Sequence, residues 1–496
     1  MHSTPRHIVH VTQQLSPGGA GRAALSLARE SQSLGGYRHT MLSLQPPPRA
    51  AVRLADAARV PIMTASDVAA VDRVVDDADI VLVHFWNSPE LYDFLRRPGP
   101  PRRPVAWLHV NGLAAPHVVT PAFVEHCEAV VATTSRSLRI PAVQAAIAAG
   151  RGAVIAAAAD PARLETAAAV RGPGFTIGTV CGLDFTKLHR DFIAICAAVR
   201  LPAARFVVCG DGPAQQTLMA EAARAGLGDR IDFRGHVEDV GAVLADLDVF
   251  LYPLCPDNTT TCDLALQEAL LAGLPAVIMP HGGAADLVEH EVTGLVAESV
   301  AACAAAVERL HADDSLRVRL AAAAAQRGRE HHDPRRMAAR MHAIFAATCD
   351  RPKRSAADPL PPAAPGWRAN PESGAARFVR SLGEHAEPFA SSLAADATAD
   401  AAIAGVGPLL AGAGGGGVLH YRGYHPDDAW LRLWSGLVWL GQGRPAFAAL
   451  DLHAALRLGC DPARVRRHLD AAVAAARRPI PASTAPPITT PHLLAG

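Results

Sequence analysis

The stretch Phe206-Val-Val-Cys-Gly-Asp-Gly-Pro213 begins as a run of apolar residues and ends in closely spaced glycines. This pattern predicts a buried strand followed by a tight turn, and a segment of helical period follows from Ala214. The same alternation of a short apolar run with a helical segment recurs from the start of the chain to about residue 350. Strands that are apolar throughout and alternate with helices are typical of parallel sheets covered on both faces. The sequence therefore predicts an α/β protein.

Ten strands follow from this pattern. They are predicted at His7–Val11, His39–Leu44, Asp79–His84, Pro104–His109, Ala129–Thr133, Gly174–Val180, Arg205–Gly210, Arg230–Phe233, Asp248–Tyr252 and Pro275–Met279. Ten strands are more than one ordinary doubly wound sheet contains, and a single hydrophobic core stops growing near roughly 250–300 residues. Two Rossmann-like domains are therefore expected, with parallel sheets facing across a cleft. A ligand would bind at the carboxyl ends of the strands, in that cleft.

Turn residues and changes in composition predict where the domains end. The expected division is a first Rossmann-like domain at 1–170, a second at 171–349, a proline-rich linker at 350–370, an Ala/Gly-rich and helical extension at 371–478, and a disordered tail at 479–496. The last helix of the second domain, about 333–348, is a candidate to pack back on the first domain. Within the extension, one copy of a tetratricopeptide-like spacing runs from Gly436 to Pro462 and predicts a helical hairpin.

Composition and charge exclude several classes of protein. Lys+Arg and Asp+Glu each number 47, and a net charge of zero argues against nucleic-acid binding. Apolar residues make up 50% of the chain and charged residues 19%, which excludes wholesale disorder. The nine cysteines contain no CxxC pair, so buried free thiols in a reducing cytoplasm are expected. The uncharged stretch 401–419 contains Pro408 and many glycines, so no spanning helix is expected there.

Two kinds of motif bear on cofactors and metals. The loop Gly18-Gly-Ala-Gly21 follows the first strand but lacks the G-x-G-x-x-G spacing, and no acidic residue ends the second strand, so a dinucleotide oxidoreductase is disfavoured. The triplets Asp77-Ala-Asp79 and Asp246-Leu-Asp248 have the spacing of a metal-chelating pair. Both precede a strand, which is the wrong edge of a parallel sheet for a ligand, so no metal site is expected.

An ordered series of segments carries the most information about function. In the second half it comprises Gly178–Lys187, Phe206–Pro213, Phe233–His236, Asp248–Pro253, Cys262–Pro275, Gly282-Gly283 and Thr293-Gly294-Leu295. The first half adds Gly18-Gly19-Ala20, Arg22, His109-Val-Asn-Gly112 and Ala132-Thr-Thr-Ser135. In this order the segments resemble the GT-B glycosyltransferases, specifically glycosyltransferase family 4 (group 1), over about residues 6–348. The resemblance implies the GT-B fold, with a small, mainly α-helical region after it.

The resemblance also implies roles for three residues as catalytic groups. Glu268 matches the second acid of the family's E-x7-E signature, which holds the ribose hydroxyls of the nucleotide. Lys187 matches the lysine that grips the diphosphate. His109 matches the first-domain histidine that faces the donor sugar. The implied donor-binding set is Gly18, Gly19, Lys187, Gly210, Thr259, Thr260, Thr261, Glu268, Gly282 and Gly283.

The chain departs from the family pattern at three places. Thr260 stands where the first acid of the signature would fall, Gly182 stands where an arginine would partner the lysine, and Ala20-Gly21-Arg22 replaces Gly-Glu-Arg. The tract Asn258-Thr-Thr-Thr-Cys-Asp263 resembles the hydroxyl-rich loop by which O-GlcNAc transferase-like GT-B enzymes hold a diphosphate. Threonines at a helix N-terminus supply N–H and O–H donors, so they can replace part of the missing positive charge.

The resemblance implies transfer of a sugar from a nucleotide-sugar donor to a glycan or lipid-linked acceptor. The anomeric configuration would be retained, and no metal or other cofactor would be needed. The first domain would bind the acceptor and the second the nucleotide sugar. Two alternatives remain open: a catalytically inactive glycosyltransferase-like binding or scaffold protein, and a GT-B nucleotide-sugar epimerase or hydrolase. A cytoplasmic location is expected, with peripheral contact at the inner membrane face as an option, and the C-terminal helical region is a candidate site for a protein partner.

Overall fold

The computed structural model describes residues 4–158, 160–164 and 174–477 of the chain. They form two compact units. The first comprises Met1–Ile155 and Ala338–Pro479, and the second is built from Ala156–Met337. The predicted domain boundary at residues 170 and 171 and the predicted tail at 479–496 lie outside the described residues.

A parallel sheet of seven strands forms the centre of the first unit. Strands β1–β7 span Arg6–Thr12, Tyr37–Ser43, Ile62–Thr64, Ile80–Phe85, Pro104–Leu108, Ala129–Ala132 and Gly152–Val154, in the order β3-β2-β1-β4-β5-β6-β7. Helices α1–α6 span Gly19–Leu34, Arg49–Ala57, Val68–Asp77, Pro89–Arg96, Pro121–His126 and Pro141–Ala148, and a 3₁₀ turn covers Ser135–Arg139. The central strands β4 and β5 are buried along their whole length, as expected where helices cover both faces of a sheet.

The second unit repeats this plan with six parallel strands. Strands β8–β13 span Thr176–Val180, Arg205–Cys209, Ile231–Gly235, Val249–Tyr252, Ala276–Ile278 and Gly294–Val296, in the order β10-β9-β8-β11-β12-β13. Helices α7–α13 span Phe192–Ala198, Gln215–Arg224, Val240–Ala245, Leu264–Leu271, Ala284–Leu287, Val300–Ala312 and Asp314–His331, and a 3₁₀ turn covers Pro161–Leu164. Both sheets therefore have the doubly wound order in which the direction of strand addition reverses beside the first strand.

The predicted Rossmann-like fold is confirmed in both units. All ten predicted strands are present, with ends shifted by one or two residues. The structure adds β3, β7 and β13, each of three residues and each at a sheet edge. Three residues are too few to establish a period of two, so the sequence pattern did not predict them.

The remaining helices belong largely to the first unit. Helices α14–α22 span Pro334–Cys349, Gly374–Leu382, Phe389–Leu393, Ala399–Ala404, Pro408–Ala411, Val418–Tyr424, Ala429–Gly441, Pro445–Arg457 and Pro462–Ala476. On α14, Arg340 donates to the Val154 carbonyl at 2.8 Å, and the His342 ring lies 4.4 Å from that of Tyr37. This last predicted helix therefore packs against the first sheet. None of the helices in the described part of the chain is both long and apolar enough to span a bilayer.

The segment 350–370 differs from a linker with few contacts. Arg354 forms an antiparallel bridge with Arg102, with N–O distances of 2.8 and 2.9 Å, and its guanidinium pairs with Glu128. Asp358 accepts from Arg380 of α15 at 2.6 Å. The segment thus connects the first sheet to the helical extension through specific hydrogen bonds.

The extension has its own apolar core, which includes Phe378 and Trp434, and it also docks on the first unit. Asn87, which is fully buried before α4, donates to Ser381 Oγ at 3.0 Å and to the Pro116 carbonyl at 2.5 Å. It accepts from the Tyr421 hydroxyl at 3.0 Å. One buried amide therefore ties the extension to the loop between β4 and α4.

Replacing Asn87 by alanine is expected to destabilise the full chain. The change leaves the buried hydroxyl of Tyr421 and the Pro116 carbonyl without this partner, and each such loss costs about 1–3 kcal/mol. The same change at Asn370, an exposed position whose side chain accepts from the Glu372 N–H at 2.9 Å, is the matched control and should cost no more than about 1 kcal/mol. Differential scanning calorimetry of both variants checks this, and equal melting temperatures would show that the docking contact does not stabilise the fold.

Candidate functional site

The second sheet brings two loops together where its strand order reverses, between β8 and β11. Lys187 lies in the loop after β8, and residues 258–263 lie in the loop between β11 and α10. Ligands of doubly wound sheets bind at this crevice, beyond the carboxyl ends of the strands. The loop ends at the N-terminus of α10, whose backbone N–H groups favour an anion.

Lys187 lies beside a buried carboxylate at this point. Its Nζ is 3.5 Å from Oδ1 of Asp263 and 5.7 Å from the centre of the Tyr252 ring. The Tyr252 hydroxyl donates to the same Oδ1 at 3.0 Å. Burial raises the pKa of Asp263, and the Lys187 ammonium acts in the opposite direction. The lysine predicted to grip a diphosphate is therefore paired with an acidic side chain of this chain.

Asp263 has an unusual backbone for a residue with a side chain. It precedes α10 with φ of 26°, in the left-handed region that favours glycine. Strain of this kind concentrates at functional sites. A Cβ at Gly283 would lie 2.8 Å from Asp263 Oδ2 and 2.9 Å from Thr261 Cα, so only glycine fits there. Gly283 thus lets the loop after β12 approach the start of α10.

Glu268 lies on α10 and is also paired within the second unit. Its side chain is 4% exposed and forms an ion pair with Arg163, which comes from the 3₁₀ turn at Pro161–Leu164. The residues are 105 positions apart in the chain. The carboxylate that the family resemblance assigns to the ribose therefore contacts a guanidinium in this structure.

The threonine tract is folded around Asn258. Asn258 Oδ1 accepts from the backbone N–H of Thr260 at 3.0 Å and from its hydroxyl at 2.8 Å. Thr259 and Thr261 are buried, whereas Thr260 is half-buried. Asn258 therefore shapes the tract by a local turn of the kind its side chain favours.

Gly210 and Gly282 allow close backbone approach around the site. A Cβ at Gly210, which has φ of 130°, would lie 1.8 Å from the Cys181 carbonyl oxygen. A Cβ at Gly282, with φ of 57°, would lie 2.6 Å from Asn258 Oδ1. Both positions therefore require glycine. Gly210 allows the loops after β8 and β9 to approach each other, and Gly282 does the same for the loops after β11 and β12.

The predicted first-unit residues lie at the carboxyl edge of the first sheet. Gly18 and Gly19 begin α1 after β1, and a Cβ at Gly18 would only touch the Ser16 hydroxyl at 3.5 Å. The tightest glycine of this loop is Gly21, where a Cβ would lie 1.9 Å from the Ser16 carbonyl oxygen. His109 follows β5, is fully buried, and shares a 2.8 Å hydrogen bond with His84.

The two D-x-D triplets form structural contacts. Asp79 accepts from the His7 backbone N–H at 2.7 Å, and Asp248 accepts from that of Thr176 at 2.9 Å. Asp77 binds the His7 ring and Arg38. Each triplet thus ties its strand to a neighbour at the amino edge. No group of three metal-ligating side chains occurs among the residues that the structure describes.

Sequence patterns did not single out Tyr252, Asp263, Asn258 or Arg163. Asp263 closes the quoted threonine tract, but nothing in the sequence marks its left-handed backbone. Arg163 has no motif around it, and only the fold brings it to Glu268. Asp263 and Arg163 pair with the two charged residues that the sequence predicted for the site, Lys187 and Glu268. Tyr252 and Asn258 form hydrogen bonds that shape the loop before α10.

Residues 174–313 match a family model described as glycosyl transferases group 1. Over these residues, which belong to the second unit, the chain is similar to the group 1 glycosyltransferases. The matched range contains the three second-unit loops that hold Lys187, Asp263 and Gly283.

Two curated relatives match parts of the chain. One is the GDP-mannose-dependent alpha-(1-6)-phosphatidylinositol monomannoside mannosyltransferase of Mycobacterium tuberculosis, 35% identical over 133 residues, which are 25% of this chain and 34% of the relative. Another is the 2-deoxystreptamine glucosyltransferase of Streptomyces kanamyceticus, 36% identical over 109 residues, 21% of this chain and 27% of the relative. The chain therefore spans about a third or less of the length of these relatives.

A solved structure extends the likeness to both sheets. The crystal structure of Anabaena HepE in complex with UDP and glucose has a TM-score of 0.58 and 19% sequence identity, and it covers 68% of this chain and 99% of its own. At this identity the match shows the fold, and it confirms the expected GT-B class.

Proposed function

We propose that the protein is a glycosyltransferase that moves a sugar from a nucleotide-sugar donor to a hydroxyl of a glycan or lipid-linked acceptor. The observation that carries this proposal is the position of Lys187 beside the N-terminus of α10, at the switch point of a group 1 glycosyltransferase domain. Similar proteins are named for GDP-mannose-dependent and glucosyl transfer, and HepE was solved with UDP. A UDP- or GDP-sugar is therefore the donor class to test first.

The second unit would bind the donor through its diphosphate and ribose. The Lys187 ammonium and the first N–H groups of α10 would stabilise negative charge on the diphosphate as the bond from the anomeric carbon breaks. The threonine tract would add neutral donors beside them. Glu268 would accept from the ribose hydroxyls after exchanging its partner Arg163 for the nucleotide. The anomeric configuration would be retained, as the family resemblance implies.

A binding protein without transferase activity is the second candidate. It is favoured by a specific observation: both key charges of the donor site are paired internally, Lys187 with Asp263 and Glu268 with Arg163. In addition, Thr260 and Gly182 replace an acid and an arginine of the family pattern. Turnover of a nucleotide sugar separates the two candidates, since a binding protein would release no nucleoside diphosphate.

Release of UDP or GDP from a donor panel is expected to continue in the presence of EDTA. One acid of each D-x-D triplet, Asp79 or Asp248, accepts a hydrogen bond from a neighbouring strand, and Lys187 and α10 would stabilise the charge on the leaving group instead. A coupled assay for nucleoside diphosphate, run with EDTA and then with added Mn²⁺, measures this. Activity that disappears with EDTA and returns with Mn²⁺ would contradict metal-independent transfer.

Gly182→Arg is expected to strengthen nucleoside diphosphate binding. Apart from its two neighbours in the chain, no described residue has a heavy atom within 4 Å of a Cβ built at Gly182, so a side chain fits there. A second cation near Lys187 adds a charge-assisted contact, which corresponds to about tenfold in affinity. Gly182→Leu is the matched control for bulk without charge. Equal affinities of the two variants for UDP would show that position 182 does not face the diphosphate.

A further inference from the structure

The carboxyl edge of the second sheet, where Lys187 and Asp263 are paired, contains more acids than cations. The loops that leave β8, β9, β11 and β12 at this edge span 181–191, 210–214, 253–263 and 279–283. They contain five aspartates but only two cations, Lys187 and Arg190. Arg190 is exposed and packs over the Phe185 ring at 4.6 Å. A diphosphate that binds beside Lys187 therefore adds negative charge where negative charge is already in excess.

The Asp263 carboxylate is enclosed and cannot turn away from a bound anion. Its side chain is 0% exposed. Oδ1 accepts from the Tyr252 hydroxyl at 3.0 Å, and Oδ2 lies so close to Gly283 that a Cβ there would be 2.8 Å away. No side chain in the described part of the chain donates to Oδ2. Binding of an anion beside Lys187 must therefore change the charge of Asp263 rather than its position.

Two effects of a bound diphosphate act on Asp263 in the same direction. Burial already raises the pKa of Asp263, and the Lys187 ammonium, with Nζ 3.5 Å from Oδ1, is the main group that lowers it. The Lys187 side chain is 27% exposed, so its ammonium is available to share with a ligand. A diphosphate would draw this ammonium towards itself and would also place like charge near the carboxylate. Both effects raise the pKa of Asp263 further.

The other titratable groups that act on Asp263 do not take up a proton. They are the phenol of Tyr252 and the thiols of Cys181 and Cys262, in addition to Lys187. Burial raises the pKa of Cys262 to about 12, and it raises the pKa of Tyr252 and of Cys181 above their usual values. These three groups are therefore protonated at neutral pH, and Lys187 already carries its proton as an ammonium ion. Asp263 is the member of this cluster that can accept one.

We propose that Asp263 takes up one proton from solvent when the diphosphate of a nucleotide sugar binds beside Lys187. The proton binds to a carboxylate oxygen, so Asp263 becomes neutral and the Lys187 charge is left to the diphosphate. Removal of one negative charge from the cluster changes its net charge as much as a second cation would. The inference rests on the proposed function, because it requires that the donor diphosphate binds at Lys187.

Proton uptake makes donor affinity depend on pH in a defined direction. Affinity should fall as the pH rises through the interval between the pKa of Asp263 in the free protein and its higher pKa in the complex. For one proton the fall is up to about tenfold for each unit of pH. UDP-glucose and GDP-mannose are suitable probes, because their diphosphates are esterified at both ends and do not titrate near neutrality. The terminal phosphate of free UDP titrates at about pH 6 and would obscure the effect.

Isothermal titration of the full chain with these two donors measures the uptake directly. Each titration is run over the weakly acidic to neutral range, in two buffers that differ in enthalpy of ionisation, and the difference in heat gives the number of protons bound. We expect the wild-type protein to take up about half a proton or more per donor at the pH of greatest uptake. Asp263→Asn should take up none, and its affinity should not vary with pH. Asp257→Asn, at an exposed position of the same loop, is the matched control and should behave as the wild type.

The outcomes separate this inference from the proposed function. Donor binding without proton uptake, or equal uptake by the wild type and Asp263→Asn, would overturn the inference and leave the proposed function standing. Absence of binding by either donor would refute both. If Asp263→Asn does not fold, Tyr252→Phe provides the comparison, because it removes the hydroxyl that stabilises the ionised carboxylate. The pH interval of uptake should then move upwards, and an interval that stays in place would also overturn the inference.

Discussion

Lys187→Ala is expected to weaken nucleoside diphosphate binding by about 10- to 150-fold, which corresponds to the 1.5–3 kcal/mol of a charge-assisted contact. Gly182 and Thr260 provide no second charge in the loops beside it. Isothermal titration with UDP and GDP measures the change. The variant should also be less stable, because it leaves the buried carboxylate of Asp263 without its nearby cation.

The double variant Lys187→Ala with Asp263→Asn separates these two effects. Removing the carboxylate together with the ammonium leaves no buried charge, so the melting temperature should recover. Diphosphate affinity should stay well below that of Asp263→Asn alone, because the cation is still missing. If the single variant binds UDP as tightly as the wild type, Lys187 serves only to neutralise Asp263.

Asp263→Asn alone is expected to strengthen diphosphate binding by about tenfold. In the free protein the Asp263 carboxylate occupies the environment that an anionic ligand would use, near Lys187 and at the N-terminus of α10. Asparagine keeps the size of the side chain and tolerates the left-handed backbone, but it does not repel a phosphate or compete for the lysine. Titration with UDP measures the gain.

The control for this prediction is Asp257→Asn. Asp257 belongs to the same loop but is exposed, so its removal changes the net charge equally without freeing Lys187. Affinity of that variant should stay close to the wild-type value. Weaker binding by Asp263→Asn would indicate the opposite role, in which the carboxylate holds Lys187 ready for the diphosphate.

The fold followed from local patterns because the strands at the centre of each sheet contain short apolar runs, such as Ile80–Phe85 and Val249–Tyr252. β1, β4 and β5 are buried along all or nearly all of their length. Strands of this kind indicate a parallel sheet that is covered by helices on both faces. The edge strands β3, β7 and β13 have three residues each, which is too short for a pattern of alternating side chains to be recognised in the sequence. The docking of the extension also had no local signal, since it depends on single contacts such as Asn87 with Tyr421, 334 positions apart.

The candidate site could be located from the sequence but its charge state could not. The order of the motifs predicted that Lys187 and Glu268 belong to the second sheet's ligand edge. In the structure, Lys187 lies in the loop after β8 at that edge, and Glu268 lies on α10, which begins there. Their ion-pair partners could not be predicted. The pairing of Lys187 with Asp263 depends on the direction of both side chains, and the pairing of Glu268 with Arg163 joins residues 105 positions apart in the chain. The buried histidines His39, His10 and His84 show the same limit, because they look like isolated residues of separate strands until the strand order makes them neighbours.

The central claim is that the second unit binds a nucleotide-sugar through Lys187 and the N-terminus of α10. Isothermal titration of the full chain with UDP-glucose, GDP-mannose and the free nucleotides, beside the Lys187→Ala variant, tests it most directly. We predict that at least one nucleotide sugar binds saturably, with one molecule per chain. The Lys187→Ala variant should bind that donor about tenfold or more weakly than the wild-type protein. No binding of any donor, or the same affinity in both proteins, would contradict it.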